Sequence, residues 1–208
     1  MANKGKYYES QFEEATIELL REAHWQYTLG DDIHRKYTDP LIEEDLRNFL
    51  AVQYKDKNLT TSEMDGIVAN LRNTGGQNDY YALRNAFLLY RDGYDFAYSD
   101  SRDNPFRMEY IDFEHPDHNI FRCVNQFVMG QGRENRRPDI LLFVNGIPVC
   151  IIELKNPTKQ NATIRDAHTQ ICTRYMRDIP ALLKYCALAV ISDGAKNALG
   201  TIYTPFEF

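Results

Sequence analysis

No run of about 18 apolar residues occurs in this 208-residue chain, so no stretch of it reads as a membrane span. The opening Met-Ala-Asn-Lys-Gly-Lys-Tyr-Tyr-Glu lacks the apolar region of a secretory signal. Cysteine is scarce and scattered: Cys123, Cys150, Cys172 and Cys186 form no Cys-x-x-Cys pair. Free thiols in a reducing cytoplasm are the economical reading. No Gly-x-x-x-x-Gly-Lys-Ser/Thr occurs, which excludes ATP binding through a P-loop. Repeats, low-complexity tracts and Gly/Ser linkers are missing as well. An overall excess of positive charge is also lacking, and the formal net charge of −6 argues against a generic nucleic-acid coat protein.

What is present is distributed unevenly. From Arg122 to Arg177 there are 9 basic and 4 acidic residues, a local net charge of +5 within an acidic chain. With 43% hydrophobic and 26% charged residues, the composition suits a globular protein with one substantial core. The part up to about residue 95 reads as helices. Phe12, Ala15, Leu19 and Ala23 share one face of a helix from about Tyr8 to Trp25. Asp39-Pro40 supplies an N-cap and a first-turn proline for a second helix. Thr60-Thr61-Ser62-Glu63 forms a capping box for a third. A fourth runs from about Asp79 to Tyr90, with Gly93 near its end.

From about residue 119 the character changes. Asn119–Met129 reads as a strand, and two apolar runs around Asn145-Gly146 read as a β-hairpin. A helix over Ile164–Arg177 follows, closed near Pro180, and then a buried strand over Ala187–Ser192. This order predicts an α/β protein whose central mixed sheet is an antiparallel meander plus a crossover strand, flanked by helices. The expected organisation is a single domain over 1–208, its core formed by about 119–208 and the first helix.

Three charged residues interrupt the hairpin's apolar strands: Asp139, Glu153 and Lys155. Ionised side chains are seldom buried unless paired or metal-bound. Two carboxylates, with the Leu154 carbonyl as a third oxygen, suit a hard cation such as Mg²⁺, which activates water and offsets phosphate charge. Lys155, two residues beyond Glu153, projects to the same face and could stabilise charge on phosphorus. Hairpin parity sets a condition. A regular two-residue loop pairs Asp139 with Ile152 and sends Asp139 and Glu153 to opposite faces. The site therefore requires an odd loop or a β-bulge. His115 and His118, without further ligands, read as part of a loop rather than a zinc site.

The pattern Arg-Pro-Asp, strand, Asn-Gly-x-Pro, strand, Glu-Leu-Lys-Asn-Pro resembles the N-terminal nuclease domain of type I restriction enzyme R subunits, within the PD-(D/E)xK superfamily. Val124-Asn125-Gln126-Phe127, Phe12-Glu13-Glu14-Ala15, Gln170-Ile171, Arg177-Asp178-Ile179-Pro180 and Ser192-Asp193-Gly194 extend the similarity. The resemblance implies a PD-(D/E)xK nuclease-like core and Mg²⁺ (or Mn²⁺) held by Asp139 and Glu153, with Lys155 as catalytic lysine. It maps an assisting acid onto Glu13, for which a solvated helix residue is the competing reading. The family places three residues between a glutamine and a tyrosine of the crossover helix. Here four separate Gln170 from Tyr175, and Gln170 is the better candidate. Arg133, Arg136, Arg137, Lys159 and Arg174 are candidate contacts to double-stranded DNA. The resemblance further implies a fragment of a longer subunit, joined to helicase domains and assembled with methylation and specificity subunits. A stand-alone repair or recombination nuclease and a catalytically silent docking module are the alternatives.

Overall fold

The two apolar runs of the hairpin form the middle of a six-stranded mixed sheet in the computed structural model, which describes residues 4–100, 103–130, 135–155 and 163–207. Strands β5 (Ile140–Val144) and β6 (Ile147–Leu154) pair antiparallel. Both faces of this hairpin are covered, which explains runs that are apolar almost throughout instead of alternating. β4 (Phe121–Asn125) pairs antiparallel with β5, and β7 (Leu188–Ser192) runs parallel to β6. The expected meander and crossover strand are present.

The hairpin turn has two residues, and a bulge follows it. Asn145 (φ 50°) and Gly146 (φ 75°) both occupy the left-handed region, as the tight hairpin turn favoured by Asn-Gly requires. Val144 pairs with Ile147 and Phe143 with Pro148, but Leu142 pairs with Cys150, leaving Val149 as the extra residue. Beyond it Ile140 faces Ile152. Continuing that register by one residue sets Asp139 across from Glu153, so the parity condition is met by a bulge.

Two layers cover this sheet. Helix α1 (Lys4–Glu22) contributes Ile17 to a cluster with Cys123, Ile140, Cys150, Ile152 and Leu154 on one face. The crossover packs Ala167, Ile171 and Tyr175 against Val124, Leu141, Phe143 and Ile151 on the other. A second helical body, α2 (Glu43–Gln53), α3 (Thr61–Asn73) and α4 (Asp79–Asp92), closes around the turn end of the hairpin through Val144 and Ile147. A bidentate ion pair from Arg122 of β4 to buried Asp45 of α2 (2.7 and 2.8 Å) ties the two parts together.

Four sequence expectations require correction. The buried side of α1 is centred on Ile17, with Phe12 and Leu20 beside it, whereas Leu19 is 66% exposed and Ala15 and Ala23 face outward. Small residues weigh little in a periodicity argument, and the true face lies one step away. The second helix starts at Glu43, not at Pro40: the Asp39 carboxylate accepts from Leu41 N in a local turn and pairs with Arg72. The first half is not wholly helical. β1 (Gln26–Leu29) runs parallel to β4 at the sheet edge, and β2 (Tyr94–Phe96) pairs with β3 (Phe106–Met108). Strands this short leave little periodic signal. Finally, β4 ends at Asn125 because Gln126 turns left-handed (φ 58°). The capping box at Thr60 and the Gly93 terminus stand as expected.

Candidate active site

Glu153 is wholly buried near the end of β6, on the sheet face that carries the crossover. Its Oε1 accepts from Lys155 Nζ at 2.6 Å and its Oε2 from the Tyr175 hydroxyl at 3.2 Å. Burial pushes its carboxyl up to about 8, Asp139 opposite adds to the rise, and Lys155 and Tyr175 oppose it. Asp139 Oδ2 accepts from the backbone N–H of Leu154 at 2.6 Å, which locks the two strand ends together. Lys155 keeps its own backbone on β7 by donating to the Ser192 carbonyl at 2.8 Å. The sequence-predicted trio is thus brought together, with Leu154 between the acids. Carboxylates facing each other over a buried strand end are an oxygen donor set short of positive charge, and this fits a hard divalent cation.

Tyr175 is the residue the sequence undervalued. The crossover comprises α5 (Ile164–Thr169), a π-helical turn over Gln170–Tyr175, and α6 (Met176–Asp178). A π-turn links residues five apart, as an α-helix links residues four apart. The extra residue between Gln170 and Tyr175 is absorbed there, and Gln170 Nε2 donates to the Tyr175 hydroxyl at 2.7 Å. The same hydroxyl lies 3.4 Å from the Arg137 carbonyl. Tyr175 is 2% exposed, and its hydroxyl is pushed well above its ordinary range by burial and by Glu153. A five-residue spacing in a helix that otherwise keeps its phase was the available signal.

Glu13 sits on the inner side of α1, half-buried, and its Oε2 accepts from Gln126 Nε2 at 3.3 Å. It is therefore not simply a solvated helix residue. Nothing in its sequence context marks Gln126 as a site residue, yet its left-handed backbone is the kind of local strain found at functional positions.

Beside Tyr175 and Gln170 opens a cavity of about 480 Å³ lined also by Asn135, Arg136, Arg137, Arg174 and Arg177. Arg136 and Arg177 share the carboxylate of Asp178, and Arg137, Arg174 and Arg177 are exposed. Of the five basic candidates, Arg136, Arg137 and Arg174 line one cavity, while Arg133 and Lys159 lie outside the described residues.

Fold and site together define an α/β protein with a carboxylate–lysine–tyrosine cluster at the open end of its central hairpin. The chain belongs to the family of type I restriction enzyme R protein N termini, which matches residues 6–208. It is similar to the type I restriction enzyme HindI endonuclease subunit of Haemophilus influenzae, 30% identical over 96% of this chain and 20% of that protein. It is likewise 30% identical to a putative type I restriction enzyme MjaIXP endonuclease subunit of Methanocaldococcus jannaschii, over 91% of this chain and 19% of that protein. The type I restriction enzyme SsaAORF53P endonuclease subunit of Staphylococcus saprophyticus is 25% identical over 79% of the chain. The chain spans about a fifth of the length of the first two relatives. Among the described residues no helix is long and apolar enough to cross a membrane.

Proposed function

We propose that this chain is a Mg²⁺-dependent endonuclease domain of the PD-(D/E)xK type that hydrolyses phosphodiester bonds of double-stranded DNA. The observation that carries this reading is the bulged register that brings Asp139 opposite Glu153, with Lys155 on the same carboxylate. Asp139, Glu153 and the Leu154 carbonyl would hold the ion, for which Mn²⁺ can substitute. When bound, it supplies a lowered pKa for a water and countercharge for phosphate.

The chain's own residues do the rest. Asp139, tied to Leu154 N, fixes the distance between the strand ends. Lys155 holds a positive charge beside Glu153, where it can orient the attacking water or meet charge developing on the phosphate. Tyr175 and Gln170 keep the Glu153 carboxylate in one orientation. Glu13, with Gln126, is an assisting acid from the first helix. Arg137 and Arg174, with Arg136, offer phosphate contacts in the adjoining cavity. The four cysteines are free, as a cytoplasmic protein would keep them.

The relatives' names support a place in a type I restriction enzyme. Helicase domains of the same subunit, and methylation and specificity subunits, are then the partners that bring DNA to this site. The test is cleavage by the assembled enzyme carrying Asp139→Ala, Glu153→Gln or Lys155→Ala. Each should lose at least about 100-fold in strand scission while DNA-stimulated ATP hydrolysis persists. Scission at the wild-type rate in Asp139→Ala overturns the reading. A silent docking module predicts that result, together with no Mg²⁺ heat in calorimetry.

A further inference from the structure

At the other end of the hairpin the fold supplies what the histidine pair lacked in sequence, a third ligand. Asp112 lies on the connection between β3 and β4 and is 5% exposed. Its Oδ2 is 3.0 Å from His118 Nδ1 and 3.7 Å from His115 Nδ1. The two imidazoles stack with centroids 4.9 Å apart and planes at 16°. All three candidate ligand atoms lie within 4.8 Å of one another.

We infer that Asp112, His115 and His118 form a binding site for a borderline divalent cation of the Zn²⁺, Co²⁺ or Ni²⁺ class, with water completing the coordination. Metal–ligand bonds of about 2.0–2.1 Å in a tetrahedral array put neighbouring ligand atoms about 3.3 Å apart. The 3.0 and 3.7 Å separations bracket that spacing. Imidazole nitrogens select this class of ion over Mg²⁺.

The carboxylate is held by more than the 3.0 Å hydrogen bond it shares with His118 Nδ1. Its Oδ1 accepts from the backbone N–H groups of Glu114 and His115 at 3.0 and 2.8 Å, and its Oδ2 from Gln53 Nε2 at 3.1 Å. Such outer hydrogen bonds orient a ligand before the ion arrives. The loop is likewise braced independently: Asn119 Nδ2 donates to the carbonyls of Asp112 and Pro116, and Asn119 Oδ1 accepts from Asp112 N. Both imidazoles are half exposed or more, which leaves an entry path for the ion. Asn145 of the hairpin turn donates to Asn119 Oδ1 at 2.8 Å, so this site adjoins the turn. Asp139 lies at the far end of β5 from that turn, roughly 17 Å away over a strand that rises about 3.3 Å per residue.

That separation makes the inference independent of the nuclease reading. Asp139→Ala/Glu153→Gln protein removes the other donor set and serves as the background. Calorimetric titration with Zn²⁺ should give one bound equivalent there, and Co²⁺ should give visible d–d absorption. His115→Ala and His118→Asn should each weaken Zn²⁺ binding at least tenfold and remove the Co²⁺ bands. The asparagine can keep a hydrogen bond to Asp112, and unchanged circular dichroism checks that the loop region stays folded. Failure of the background protein to bind Zn²⁺, or undiminished binding in His118→Asn, overturns the inference.

Discussion

Glu153 draws its chemistry from contradictory surroundings: full burial and a facing carboxylate raise its proton affinity, while a lysine and a tyrosine hydroxyl lower it. A cation between the acids would remove the conflict. Tyr175 then acts as a positioning residue, and Tyr175→Phe deletes a hydrogen bond to a charged group. Such bonds contribute roughly 1.5–3 kcal/mol to folding, so the variant should melt at a lower temperature, and kcat for scission by the folded enzyme should also fall, by about tenfold or more. Single-turnover cleavage beside a melting curve separates this from a packing role, which would leave the rate intact. Gly146 answers to a different constraint. At φ 75° its Cα faces the Ile42 carbonyl, and an added Cβ would overlap that oxygen. Gly146→Ala should cost about 2–4 kcal/mol, read as a lower urea midpoint with an unchanged slope.

Two local irregularities decide the site at the scale of elements: a bulge in a strand and a π-turn in a helix. Both insert one residue, and both preserve a meeting of side chains that a regular element would break. The bulge was legible from parity, because two-residue alternation leaves few ways to bring Asp139 and Glu153 to one face. The π-turn was not, because residues four apart share a helix face and five-apart residues do so only after local unwinding. Deleting exposed Thr173 should convert the π-turn to regular helix and return Gln170 and the tyrosine to four-residue spacing. Cleavage should survive that deletion. Inserting an alanine after Thr173 should rotate the tyrosine by about 100° and abolish it, with both variants assayed for scission and Mg²⁺ affinity. The same reasoning explains the first helix, where one misjudged step in phase hid the half-burial of Glu13.

Over the whole molecule, charge is segregated in a manner that composition alone conceals. A chain of net charge −6 presents an arginine-lined cavity next to its carboxylate site. Arg137→Ala and Arg174→Ala should weaken duplex binding at any sequence, most strongly at low salt. For every phosphate left without its arginine, the slope of log K against log salt should become shallower by about 0.9. Fluorescence anisotropy over a salt series measures it, and an unchanged slope removes these arginines from the DNA path.

The sequence by itself determined the hairpin, the crossover order, the carboxylate–lysine trio and the need for a register shift, since these depend on local alternation and turn chemistry. Tertiary structure decided the rest: Tyr175 against Glu153, Gln126 against Glu13, Asp112 beside two histidines, and β1 beside β4. Those meetings depend on how elements pack, and a side chain's partner across a sheet or a loop is fixed by burial and closure rather than by its neighbours in the chain.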